Sequence, residues 1–197
     1  SDGVNWNLVT SSAGWSGRTG YTSVVFDNKM WVMGGENFDD PHFNEVWSSS
    51  DGVNWTLVTS SAGWLGRRGH TSVVFDNKMW VMGGVGVGNP ELKNDVWYSS
   101  DGINWTRATS SAGWSSRWRH TSVVYDNKMW VIGETKGSPI KSDVWSSGDG
   151  VNWTQATDSA GWSERLHHTS LVYDNKMWVM GGANNGSKND VWSTKSP

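Results

Sequence analysis

One segment is written four times along this chain, and nothing else in the sequence restricts its fold as much. The phrase Asp-Gly-Val/Ile-Asn-Trp begins at Asp2, Asp51, Asp101 and Asp149. The phrase Asp-Asn-Lys-Met-Trp-Val begins at Asp27, Asp76, Asp126 and Asp174. Both recur every 48–50 residues. A unit of that size buries its apolar surface by stacking on the next copy, so the core is built between units rather than inside one. The repeat also sorts the residues. Positions that are constant in all copies build the unit, and positions that vary are free of that duty and open to function.

The second copy shows what the unit is. Residues 71–75, Thr-Ser-Val-Val-Phe, form a β-prone run. Asp76, Asn77 and Lys78 make a tight turn in which Asn tolerates the left-handed conformation. Residues 79–82 return as the second strand of a hairpin, and Gly83 and Gly84 end it. A loop leads to a third strand around Trp97, a second turn over residues 100–104, and a fourth strand over residues 105–109. Four antiparallel strands, apolar on both faces of the first hairpin, describe one blade of a β-propeller. The whole chain, 1–197, reads as a single all-β domain with four four-stranded antiparallel blades, in units of about 1–48, 49–98, 99–146 and 147–197. Residues 6–10 read as a fourth strand that precedes the first hairpin, and residues 190–193 as a third strand. The expectation is a ring closed by pairing the N-terminal strand with the last blade, which removes the sheet edges. Edge burial at any dilution favours a four-bladed monomer over a dimer that builds an eight-bladed ring.

Composition narrows the function. A net charge of −3 argues against a general nucleic-acid binder. No apolar run approaches the ~18 residues of a membrane span. The 17 tryptophans supply the buried area that the aliphatic content does not. There is no cysteine, which excludes disulfides, cysteine-ligated zinc and a thiol nucleophile. Nothing reads as a leader peptide, and no compartment is assigned.

Three further motifs carry a family resemblance. Arg-x-x-His/Tyr-Thr-Ser occurs at Arg18/Tyr21, Arg67/His70, Arg117/His120 and Arg165/His168. Glycine pairs stand at Gly34 and Gly35, Gly83 and Gly84, and Gly181 and Gly182, with Gly133 and Glu134 in the third copy. The pairs Trp47/Trp55, Trp97/Trp105 and Trp145/Trp153 are spaced by eight residues, and Trp192 is left to match Trp6. This pattern resembles the kelch repeat over essentially the whole chain. The turn over residues 50–55 is also similar to the Asp-box of sialidase-type propellers, a structural turn. The kelch resemblance implies a propeller whose variable loop face holds the ligand, including the positions just after each rim arginine. That family includes many protein-binding scaffolds and a few enzymes.

The arginines are expected to pair with Glu45, Asp95, Asp143 and Asp190, since both sets recur once per blade. His70, His120 and His168, with Tyr21, offer the only metal reading. Their place on the inner strand directs them between blades, and no metal or other cofactor is assigned. Trp15, Trp64, Trp114 and Trp162 lie in the loop Ser-Ala-Gly-Trp. They either plug the seams or stack on sugars.

The variable loops are residues 36–43, 85–93, 135–141 and 183–188, together with the positions after each rim arginine. The ligand-binding candidates on that face are Thr19, Arg68, Trp118, Arg119, Leu166, His167, Phe38, His42, Lys136 and Asn184. There is no Ser-His-Asp set, separated carboxylate pair or phosphate loop, so the expected function is non-enzymatic binding of a protein or peptide. The alternative is a lectin with one site per blade, built on the loop tryptophans. A further alternative is an engineered or fragment array without native activity, because near-identical copies follow from recent duplication or design.

Overall fold

A computed structural model describes residues 3–39, 42–89, 91–133 and 142–195. The hairpins follow from their turns. Asp76 and Asn77 both take left-handed backbones, with φ of 48° and 52°, as do their counterparts in the other copies. Two successive residues of this kind make the type I′ turn, whose twist matches a hairpin. Lys78 pairs opposite Phe75 and therefore belongs to the return strand rather than to the turn.

Blade one is β1 (Thr22–Phe26), β2 (Lys29–Met33), β3 (Val46–Ser49) and β4 (Thr56–Thr59). Blade two is β5 (Arg67–Arg68), β6 (Thr71–Phe75), β7 (Lys78–Gly86), β8 (Leu92–Ser99) and β9 (Thr106–Thr109). Blade three is β10 (Thr121–Tyr125), β11 (Lys128–Ile132), β12 (Val144–Ser147) and β13 (Thr154–Thr157). Blade four is β14 (Thr169–Tyr173), β15 (Lys176–Met180) and β16 (Val191–Ser193). All pairings are antiparallel and run from the inner strand outward, with the short β5 added on the extended β7. The protein is an all-β, four-bladed propeller, with no helix among the described residues. Residues from all four inner strands line one axial cavity of about 320 Å3, walled by Thr22, Ser23, Thr71, Ser72, Thr121, Ser122, Thr169 and Ser170.

The core lies between blades because each second strand presents alternate residues to opposite neighbours. Trp31 and Met33 of blade one pack with Met79 and Val81 of blade two. Trp80 and Met82 of blade two pack with Met129 and Val131 of blade three, and Ile132 of blade three with Met177 and Val179 of blade four. Glycine is required where an indole crosses a seam. A Cβ on Gly102 would lie 2.2 Å from Trp31, and one on Gly150 2.1 Å from Trp80. Both glycines also hold positive φ, 76° and 75°.

The outer turns are locked by their aspartates. Asp101 Oδ1 accepts the N–H groups of Ile103 and Asn104, and Oδ2 accepts the Asn104 side-chain amide. Burial alone would raise the Asp101 carboxyl. These hydrogen bonds outweigh it and hold the group at about 2. Asp149 repeats the arrangement, also at about 2.

One expectation is corrected. The N-terminal strand does not pair with the last blade. The sheet of blade four has three strands, and the described part of residues 3–10 forms none. Neighbouring inner strands touch in the series β1, β6, β10, β14, whereas β1 and β14 do not touch. The N-terminal segment is tethered on the blade-one side, where Trp15 packs against Trp55 and Tyr21. Trp64 is anchored on blade two in the same way while residues 56–59 still pair with blade one, so it is the gap between β1 and β14 that keeps residues 3–10 from β16.

Candidate functional site

The rim arginines are consumed by structure. Arg67 Nη1 and Nη2 donate to Asp95 Oδ1 and Oδ2 at 2.7 and 2.9 Å, and Nη1 also donates to the Gly83 carbonyl. Trp97 Nε1 donates to the same carboxylate at 2.7 Å. Arg117 with Asp143 and Arg165 with Asp190 repeat the two-pronged pair, and Arg18 reaches Glu45 through Nη2 at 2.8 Å. Burial would raise the Asp95 carboxyl, but the hydrogen bonds and charge of Arg67 keep it below its ordinary value. Each guanidinium also lies over the loop tryptophan of its own blade, 5.5–5.9 Å from the ring centroid.

The histidines staple blades together. His70 Nε2 shares a hydrogen bond with Thr22 of the preceding blade at 3.1 Å, as His120 does with Thr71 and His168 with Thr121. Burial pushes His70 down to about 3 and His168 to about 4, with His120 also well below its ordinary value, so the imidazoles are neutral. Among the described residues no group of three His, Asp or Glu comes together to hold a metal.

The loop tryptophans are seam plugs. Trp64 and Trp114 are each 1% exposed, Trp162 is buried, and Trp15 is half-buried. Trp64 packs edge-on to Trp105 at 5.9 Å, and Trp114 to Trp153 at 5.8 Å. Trp64, Trp114 and Trp162 are enclosed to a degree that leaves no open indole face for a sugar ring, whereas Trp15 keeps part of its surface.

The variable face behaves differently. Thr19, Arg68, Trp118, Arg119 and His167 come together from four blades around one cavity of about 330 Å3, with Gly20, Gly69 and Glu36. Its floor is built from equivalent left-handed positions: Gly20, Gly69, Arg119 and His167 have φ of 64°, 58°, 56° and 56°. Gly69 N donates to Gly20 O, and Arg119 N to Gly69 O, so the backbone itself links successive blades at the axial mouth.

Side chains complete the cavity. Arg68 is ion-paired with Glu36. Both the Arg68 and Arg119 guanidiniums lie over the half-buried Trp118 ring, 5.1 and 4.0 Å from its centroid. Arg119 Nη1 lies 3.1 Å from His167 Nε2. Arg119 is exposed and has no carboxylate partner among the described residues. The site can thus offer a cation backed by an aromatic plane, a composition suited to a carboxylate-bearing ligand.

The remaining candidates lie elsewhere. Phe38 is fully exposed beside a neighbouring cavity that also contains Thr19 and Glu36. Leu166 is held in a backbone bridge with Ala183. Leu166, His42 and Asn184 do not line the axial mouth. Lys136 lies outside the described residues. Sequence reasoning placed Glu36 on this face but did not select it as a site residue. The acid in a variable loop facing Arg68 was the available signal.

No family model matches the chain, and no curated protein matches it.

Proposed function

We propose that this propeller is a non-enzymatic binding module that captures an acidic peptide segment of a partner protein at the axial mouth. The observation that carries the reading is Arg119. It is an exposed guanidinium stacked on Trp118, beside His167, and not neutralised by a carboxylate among the described residues. Its backbone is left-handed, a conformation that side chains other than Gly, Asn and Asp rarely adopt and that costs of order 1 kcal/mol. Rigid frames with side chains projecting from variable loops are the usual arrangement of a binding surface. The kelch-type reading of the repeat supports the same face. A lectin with one equal site per blade is less well supported, because three of the four constant loop tryptophans, Trp64, Trp114 and Trp162, are enclosed. The test is calorimetry with a panel of acidic, neutral and basic peptides. Acidic peptides are expected to bind with one site per chain, and Arg119→Ala is expected to abolish that preference. Equal binding of all three classes would defeat the proposal.

A further inference from the structure

Blade four holds a groove that the equivalent blades keep filled. An apolar cavity of about 490 Å3 is lined by Trp130, Trp162, Met177, Val179 and Trp192, among others. In the first three blades the loop tryptophan receives the first indole of a fourth strand: Trp15 receives Trp55, Trp64 receives Trp105 and Trp114 receives Trp153. The glycine before each loop tryptophan reports the same contact. A Cβ on Gly63 would lie 3.1 Å from the Trp105 carbonyl, and one on Gly113 3.4 Å from that of Trp153. On Gly161 it would meet Trp192 alone. The seam indoles tell the same story, since Trp31 and Trp80 are capped by Gly102 and Gly150 and the next in the series is Trp130.

The chain carries a segment that matches this groove. Residues 3–10, Gly-Val-Asn-Trp-Asn-Leu-Val-Thr, differ from residues 52–59 only at Asn7. They already hold the turn used in the filled blades. Gly3 has φ of 70° against 76° at Gly52, and Trp6 Nε1 donates to the Gly3 carbonyl at 3.1 Å, as Trp55 does to Gly52. Yet Trp6 is 87% exposed, and a Cβ on Gly3 would meet nothing within 4 Å.

We propose that the groove docks residues 3–10 of a second copy of this chain. Trp6 of that copy enters between Trp162 and Trp192, Gly3 caps Trp130, and residues 7–10 add a fourth strand to the free edge of β16. By analogy with β3 and β4, Leu8 lies opposite Trp192 and Thr10 opposite Val191. The occupant is a second copy because β1 and β14 do not touch, which leaves residues 3–10 of the same chain across an open gap from β16. The exposed faces left at the two ends are complementary halves of a seam: Tyr173 and Val191 on blade four, and Val25 and Met30 on blade one. Two copies exchanging segments reciprocally satisfy both grooves in a closed ring of eight blades.

Light scattering of the 197-residue chain at micromolar concentration tests this. The expected mass is twice 21.8 kDa, falling to 21.8 kDa in Trp6→Ala. A synthetic peptide of residues 3–10 is expected to dissociate the dimer, and the same peptide carrying Trp6→Ala is not. The peptide arm does not depend on whether the variant protein folds. A particle of 21.8 kDa throughout the micromolar range would overturn the proposal. So would a dimer indifferent to both the variant and the peptide. A monomer whose melting temperature falls in Trp6→Ala would show closure within one chain and would equally overturn it.

Discussion

The seam between blades two and three and the axial mouth use the same residue types to opposite ends. At the seam, Trp80, Trp114, Arg117 and Asp143 are enclosed; Trp80 Nε1 and the Arg117–Asp143 pair find their partners inside the protein, while Trp114 Nε1 is buried without one. At the mouth, Trp118 and Arg119 stand one and two positions beyond Arg117, yet they face outward and differ from their counterparts in the other blades. Arginine and tryptophan are therefore not site markers by type. What separates them is whether the repeat holds them constant. A constant arginine is needed in every copy to neutralise the carboxylate on its third strand, whereas the mouth needs only one set of side chains around the axis.

The largest effect that would break this contrast is at the seam. Trp80→Ala is expected to cost about 3–5 kcal/mol in urea unfolding, as a core deletion. In a Trp6→Ala background, where the groove of blade four stays open, Trp130→Ala should cost less than Trp80→Ala, because Trp130 borders that groove. If Trp118→Ala unfolds the protein as readily as Trp80→Ala, the mouth is not distinct from the seam.

The ion pairs give the next step down. Asp143→Ala strands a buried guanidinium and should cost about 3–5 kcal/mol. Asp190→Ala should cost less, since that carboxylate is 41% exposed. Equal losses, read from chemical denaturation, would mean that burial does not set the worth of these pairs.

Acid should loosen the seams next. The folded histidines titrate at about 3 and about 4 against an unfolded value near 6.5. As pH falls from about 6.5 to about 4, the unfolded chain takes up protons that the folded one refuses, so stability is lost across that window. The loss should be about 2 kcal/mol or less per histidine at pH 5. A melting temperature that stays flat from pH 7 to pH 5 would contradict neutral, buried imidazoles.

The smallest effect on stability belongs to the mouth. Arg119→Ala should change unfolding by no more than about 0.5 kcal/mol. Affinity for an acidic peptide should fall about 10–100-fold, the worth of a charge-assisted hydrogen bond. Calorimetry and thermal melts on one preparation separate the two readouts.

The fold was legible because a period near fifty residues with fixed turn phrases leaves few architectures open, and the turns formed where Asp76 and Asn77 indicated. The arginine–carboxylate pairs were legible for a similar reason, since two series in the same rhythm have to meet. The mouth was half legible. Variation singled out Thr19, Arg68, Trp118, Arg119 and His167, but variation cannot tell a residue aimed at the axis from one on the flank. Leu166 and Phe38 passed the same filter and lie outside the cavity. A left-handed backbone shared by Gly20, Gly69, Arg119 and His167 decides which position faces the mouth, and glycine in two copies was its only trace in the sequence. The end pairing failed as an expectation because matching strand patterns carry no information about distance. Residues 3–10 have the right side chains, but β1 and β14 do not meet, so a gap separates the segment from β16.

The polar bonds divide into two sets with different reach. Arg67 finds Asp95 and Gly83 inside its own blade, while His70 reaches across to Thr22 of the blade before. The arginine–carboxylate pair is thus internal to each blade, and blades two to four carry the same histidine plug for the threonine socket of the blade before, with Tyr21 in its place in blade one. Duplicating one unit in the gene would supply a blade already fitted to both its new neighbours, with no compensating change elsewhere. A chain built this way can lengthen or shorten by whole blades in a single genetic event, and only the few residues at the mouth would need to adapt to the new circumference.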